Sequence, residues 1–151
     1  MNDRDLLIFF LILIVMLLVV IVQPACPEER SLIVGLYTYH FVDGNYEEGV
    51  DNHLVGIEYD GWSGAFFRNS HERETMFAGY GWHTDKLQNG EWWLRGNVYA
   101  GALWGYGDRA FVHYGNLSPG VYPTFNIGYG SCSLETGVMP GFIWWGLRVE
   151  F

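Results

Sequence analysis

From residue 31 to the end, no stretch of the chain keeps a helical period. A two-residue alternation of apolar and polar side chains recurs instead, in short runs separated by Gly, Asn, Asp and Pro. The clearest run is the last, Phe142-Ile-Trp-Trp-Gly-Leu-Arg-Val-Glu-Phe151. Under strict alternation Ile143, Trp145, Leu147, Val149 and Phe151 face one way, while Gly146, Arg148 and Glu150 face the other. Reading the remaining runs in the same way predicts strands at residues 32–41, 53–60, 62–68, 75–83, 92–104, 121–130, 132–139 and 142–151. Suitable turn chemistry lies between them: Asp60-Gly61, Gln88-Asn89-Gly90 and Pro140-Gly141. The longest loop is expected at residues 105–120.

An alternating strand is two-faced, and its surroundings decide which face meets solvent. In a soluble sandwich the apolar face is buried against a second sheet and the polar face is wet. Here the chain carries 7 Trp, 10 Tyr and 10 Phe with only 17% charged residues, many of the aromatics close to strand ends. A soluble domain seldom needs that load, whereas lipid contact accounts for it. Lipid-out and polar-in is then the natural assignment of the faces. Unpaired backbone groups at an open sheet edge are not tolerated in hydrocarbon, so such a sheet must close on itself. Strands of about nine to eleven residues fit eight times into the segment after residue 31. The expected fold is all-β: an eight-stranded antiparallel transmembrane β-barrel over residues 32–151. It is expected to be monomeric and to sit in the outer membrane of a Gram-negative cell, and the closing Phe151 resembles the C-terminal assembly signal of bacterial outer-membrane proteins.

Ahead of the barrel, residues 6–22 form an unbroken apolar run that cannot be a strand. At about 1.5 Å per residue a helix of that length approaches the roughly 30 Å hydrocarbon thickness. Residues 1–26 are therefore expected to be a hydrophobic helix, either a signal or an anchor, joined to the barrel by a short acidic linker at residues 27–31. Cys26 follows that run but is preceded by Gln23-Pro24-Ala25, a poor setting for lipidation. Cys132 has the character of a small strand residue.

The formal net charge of −9, with eight Lys and Arg, excludes nucleic acid as a partner, because neutralising phosphates takes clustered cations. The five histidines lack metal-ligand spacing, and no metal or cofactor is expected. Glu135 is expected to face the lumen and pair with Arg148. Parity supplies the one candidate reactive group. In an up-and-down barrel the first and third strands end at the same rim, so His40 and the run Arg68-Asn69-Ser70-His71 become neighbours there. A Ser hydroxyl, a His to take its proton and an Asn amide to orient the ring can together form a nucleophile.

The run Ala65-Phe66-Phe67-Arg68-Asn69-Ser70, followed by Phe77-Ala78-Gly79-Tyr80-Gly81-Trp82, resembles the PagP family of lipid A palmitoyltransferases. That family shows Ala-Phe-Lys-Asp-Ser and then Ala-Gly-Tyr-Gly-Trp at the same spacing. Tyr39-His40, Ile127-Gly128-Tyr129-Gly130, Pro140-Gly141 and Leu147-Arg148-Val149-Glu150-Phe151 extend the likeness in order along the chain. The resemblance implies that His40 matches the family's essential histidine, Ser70 its essential serine, Asn69 its aspartate, and Gly81 the glycine at the floor of the acyl pocket. It implies phospholipid as acyl donor, lipid A or related lipopolysaccharide as acceptor, and no cofactor. The chain departs from the family in three ways: Asn69 replaces a carboxylate, the stretch between His40 and Asn69 is shorter, and residues 6–22 stand where the family has an amphipathic helix. Short phage-encoded barrels are similar in carrying Tyr-His and Arg-Asn-Ser at these places, which implies a divergent phage-encoded member in which Asn is the ordinary residue. The alternatives are a non-catalytic outer-membrane barrel for surface remodelling or receptor masking, and a lipid deacylase or esterase using the same residues with water as acceptor.

Overall fold

The computed structural model describes residues 30–41, 53–107, 112–139 and 141–151. The expected signal or anchor segment, Cys26 and Pro140 lie outside them. Among the described residues nine strands run in chain order: β1 (Arg30–His40), β2 (Val55–Tyr59), β3 (Trp62–Arg68), β4 (Glu74–His83), β5 (Leu87–Asn89), β6 (Trp92–Trp104), β7 (Leu117–Tyr129), β8 (Cys132–Met139) and β9 (Phe142–Glu150). Each sequential neighbour pairs antiparallel, apart from β4, which skips the short β5. β1 returns to pair with β9, and β4 pairs with β6 from Met76 opposite Trp104 to His83 opposite Asn97. These pairings close an eight-stranded antiparallel barrel. β5 stands outside that ring of eight, a three-residue piece that follows β4 after a break at residues 84–86 and pairs with the start of β6.

The turns form where the residue types ask for them. Asp60 and Gly61 both take positive φ, 49° and 77°, the requirement of the tightest hairpin connection, and Gly90 and Gly130 take it at two further turns. The barrel begins at Arg30, slightly inside the expected linker, because Arg30 pairs with Tyr59 and Ser31 with Glu58.

β9 divides as its alternation predicts, with Arg148 buried in the lumen and Leu147, Val149 and Phe151 exposed outside. The other strands divide likewise. Val55, Ile57, Leu94, Phe125 and Ile127 stand on the outer surface, while Glu58, Asn97, Thr124, Asn126 and Glu135 are enclosed. This inverts the usual distribution of a soluble domain. At the end opposite His40, Tyr59, Trp62, Trp92 and Tyr129 are exposed, with Trp62 on Tyr80 and Trp92 on Tyr129 in edge-on pairs at 5.4 and 5.2 Å.

Two departures from simple alternation shape the rim at which β1 ends. The register of β1 against β9 shifts between Gly35 and Tyr37, a β-bulge. Before it Ser31 and Ile33 face inward, and after it Thr38 and His40 do. Without the extra residue His40 would point outward, since one residue of slip exchanges the faces of a strand.

The second departure corrects the expected loop at 105–120, because β7 already begins at Leu117. Among the described residues, 118–123 pair with β6 alone, Leu117 also bridges Tyr114, and the ladder to β8 starts only at Thr124. A strand with one neighbour tolerates residues that cannot donate, so Pro119 and Pro123 fit within it. On the other side of the barrel, residues 37–40 of β1 pair with β9 and, among the described residues, with no second strand. Among the described residues, then, the ladder is one-sided at two places near the same rim.

Candidate functional site

The strand directions bring the end of β1 and the turn after β3 to one rim, and there the His40 Nε2 and Ser70 Oγ atoms lie 2.8 Å apart. They are 30 residues apart in sequence. In the tautomer that leaves Nε2 bare, the Ser70 hydroxyl donates to it, which is the geometry of a nucleophile beside its general base. Both line a cavity of about 110 Å³ in the rim half of the lumen. His40 is almost fully buried, and its ring packs at 5.5 Å from that of Phe142.

Asn69 occupies the turn in a different role from the one expected. Its side-chain oxygen accepts the backbone N–H of His71 at 2.9 Å and of Arg73 at 3.1 Å, and its amide nitrogen donates to Thr75 Oγ1 at 2.9 Å. Two N–H donors fill the acceptor capacity of one carbonyl oxygen. The carboxamide therefore holds the turn, closed also by Glu72 N–H to Asn69 O, that presents Ser70. It is a positioning residue through the backbone, and its expected role as orienter of the imidazole gives way to this one. Asn69→Ala is expected to lower stability by about 1–2 kcal/mol, because two turn N–H groups lose their acceptor. Asn69→Asp keeps both acceptor bonds and is expected to lose less. Unfolding titrations in micelles, followed by Trp fluorescence, rank the three proteins.

Gly81 does not itself face the cavity. The Tyr99 ring lies over it, so close that a Cβ at Gly81 would sit 2.5 Å from Tyr99 Cε1. Tyr99, with Thr124 and Glu135, makes the cavity floor. Gly81 is thus the seat of the floor residue, and Gly81→Ala is expected to destabilise the barrel by about 1–3 kcal/mol by tilting a phenol that has no slack. The same unfolding assay measures it.

Below that floor lies a polar network that sequence reading found only at one corner, the Glu135 to Arg148 pair. Arg148 Nε donates to Glu135 Oε2 at 2.8 Å, and its Nη1 donates to Glu58 Oε2 at 2.9 Å and to Ser31 Oγ at 2.5 Å. Its Nη2 bonds the Tyr99 hydroxyl, which donates to Glu58 Oε2 at 2.9 Å. His83 joins Glu58 through Nε2 and Asn97 through Nδ1. Asn97 continues the chain to Asn126 and Thr124, and Thr124 to Glu135. The signal that could have found these groups was present, a polar side chain between apolar neighbours in each strand: Glu58 between Ile57 and Tyr59, Asn126 between Phe125 and Ile127. What no local pattern supplies is which of them meet across the lumen.

No family model matches the chain, and no curated protein matches it. What the site can do therefore rests on its geometry. A hydrogen-bonded Ser-His pair opens onto apolar walls formed by Ile33, Ala65, Phe67, Phe77, Leu103 and Trp144. Such walls suit hydrocarbon, and the pair suits attack on a carbonyl next to it. At the rim Arg68 and Glu72 pair at 3.4 Å in the open, an arrangement worth little in water.

Proposed function

We propose that this chain is an outer-membrane barrel, similar to the PagP family, that moves an acyl chain from a phospholipid to lipid A or a related acceptor. The observation that carries the reading is the 2.8 Å contact between His40 and Ser70 at the mouth of an apolar-walled cavity. The exterior supports a lipid setting: exposed Val, Ile, Leu and Phe along the strands and an aromatic girdle at the far end are what a bilayer requires of a barrel. The stretches of β1 and β7 that, among the described residues, have one ladder partner suit sideways entry of a lipid near the reactive pair. The buried network beneath Tyr99 closes the lumen below the cavity, so nothing in this arrangement favours a channel.

In the first half-reaction His40 takes the Ser70 proton as Oγ attacks the ester carbonyl of the donor. The tetrahedral intermediate collapses, the glycerol oxygen leaves with the proton from His40, and the acyl chain stays on Ser70. In the second, His40 takes the proton of an acceptor hydroxyl, whose oxygen attacks the acyl-serine, and Ser70 recovers its hydrogen. The departure from Asp to Asn fits this scheme, because the turn needs an oxygen acceptor at position 69 and both residues supply one.

The test is mass spectrometry of lipid A and phospholipids from cells expressing the protein, against cells expressing the His40→Ala, Ser70→Ala double variant. Acylated lipid A with matching lysophospholipid only in the parent supports the proposal. Free fatty acid without acylated product assigns the same pair to hydrolysis. Identical profiles leave the non-catalytic barrel as the reading.

A further inference from the structure

Two hydroxyls in the cavity wall are left unused by the chemistry above. Tyr106, just past the end of β6, folds back onto the core cluster of Phe77, Tyr99 and Leu103. Tyr122, on β7, sets its ring edge-on against Phe77 with centroids 5.3 Å apart. Both line the cavity that holds His40 and Ser70. The Tyr122 ring runs back over Gly120, where an added Cβ would lie 2.5 Å from the phenol oxygen, so its hydroxyl is directed toward the rim. Both rings pack against the same cluster of Phe77, Tyr99 and Leu103.

Their neighbours make the contrast. Tyr99, deeper in the same wall, donates to Glu58 and accepts from Arg148. Among the described residues neither Tyr106 nor Tyr122 has a hydrogen bond through its hydroxyl. Both side chains are partly buried and line the cavity, so a ligand that fills it and displaces water meets two phenol donors that the protein itself does not engage. Burial also pushes the Tyr106 hydroxyl up to about 12, which keeps it a neutral donor at every pH at which a bilayer protein works. Two neutral donors in an apolar wall suit a neutral acceptor, an ester carbonyl, better than a phosphate, whose charge calls for cations.

We propose that Tyr106 and Tyr122 form a carbonyl-binding pair that receives the ester carbonyl of a lipid whose chain lies in the cavity. This rests on the reading that the cavity takes acyl chains, but not on any transfer taking place. The test uses the full-length protein in dodecylphosphocholine, which has no carbonyl, with tyrosine labelled by carbon-13 at Cζ and assigned through the Tyr106→Phe and Tyr122→Phe variants. Methyl laurate is titrated in, with tridecane as the control. The expected result is that both Cζ signals move with the ester and not with the alkane. The Tyr106→Phe, Tyr122→Phe double variant is expected to bind methyl laurate about tenfold more weakly and tridecane unchanged, the loss expected from two modest hydrogen bonds. Equal responses to ester and alkane, no response to either, or unchanged ester binding by the double variant would each overturn the proposal. Repeating the titration on the His40→Ala, Ser70→Ala variant separates the two claims: an ester response there with unaltered cellular lipids means that the carbonyl pair stands and the transferase reading fails.

Discussion

Replacing Arg148 with Met is expected to cost about 3–5 kcal/mol of stability, a large share of the roughly 5–15 kcal/mol that holds a typical domain together. The reason is what the substitution leaves behind. The guanidinium is 1% exposed and is bonded at once to Glu58, Glu135, Ser31 and Tyr99. Glu58 and Glu135 are themselves 1% and 0% exposed, so without Arg148 two carboxylates stay in the lumen, Glu58 held by His83 and the Tyr99 hydroxyl and Glu135 by the Thr124 hydroxyl, without the guanidinium that balanced both. An unpaired buried charge is far worse than no charge at all. Two companions test that account. Arg148→Lys keeps a cation but loses the planar fork that reaches several acceptors, and is expected to fall between parent and Met. Arg148→Met combined with Glu58→Gln and Glu135→Gln removes both orphaned charges and is expected to recover part of the loss. Urea unfolding in phospholipid vesicles, followed by Trp emission, gives the differences. An Arg148→Met barrel within about 1 kcal/mol of the parent would refute the network's structural role.

The other large effect is expected on activity. Under the proposed acyl transfer, with Ser70 and His40 acting as one unit, either single alanine variant should lower the rate by about 10²–10⁴-fold, and the double variant should lose little more than the worse single one. Additive losses would mean that the two residues contribute separately, for instance by shaping the cavity. Ser70→Ala removes a hydroxyl at the cavity mouth and opens no internal void, and His40→Ala leaves Phe142 to cover part of the space. Both variants should therefore retain the unfolding midpoint far better than Arg148→Met, and stability and chemistry can be read apart. The assay is transfer of a radiolabelled acyl chain from phospholipid to purified lipid A in mixed micelles.

Much of this barrel is legible from residue order alone. Alternation locates the strands and tells their faces apart, as in β9, where Arg148 is inside and Leu147 and Val149 are outside. Asp60-Gly61 announces its own turn through its tolerance of positive φ. The meeting of His40 with the residues after β3 comes from counting strands. These features share a cause, since each depends on a residue and its immediate neighbours along the chain, or on the up-and-down order that such neighbours impose. What folding alone decided depends on partners far away in sequence. The bulge at Gly35–Tyr37 arises from the register of β1 against β9, and it alone turns His40 into the lumen. β7 runs through Pro119 because β8 does not reach that far up its side. Asn69 takes its role from the backbone N–H groups that the turn brings to it. A two-residue period carries no information about which strand lies alongside or where a ladder slips, and hydrogen bonds across a lumen exist only once the cylinder has closed.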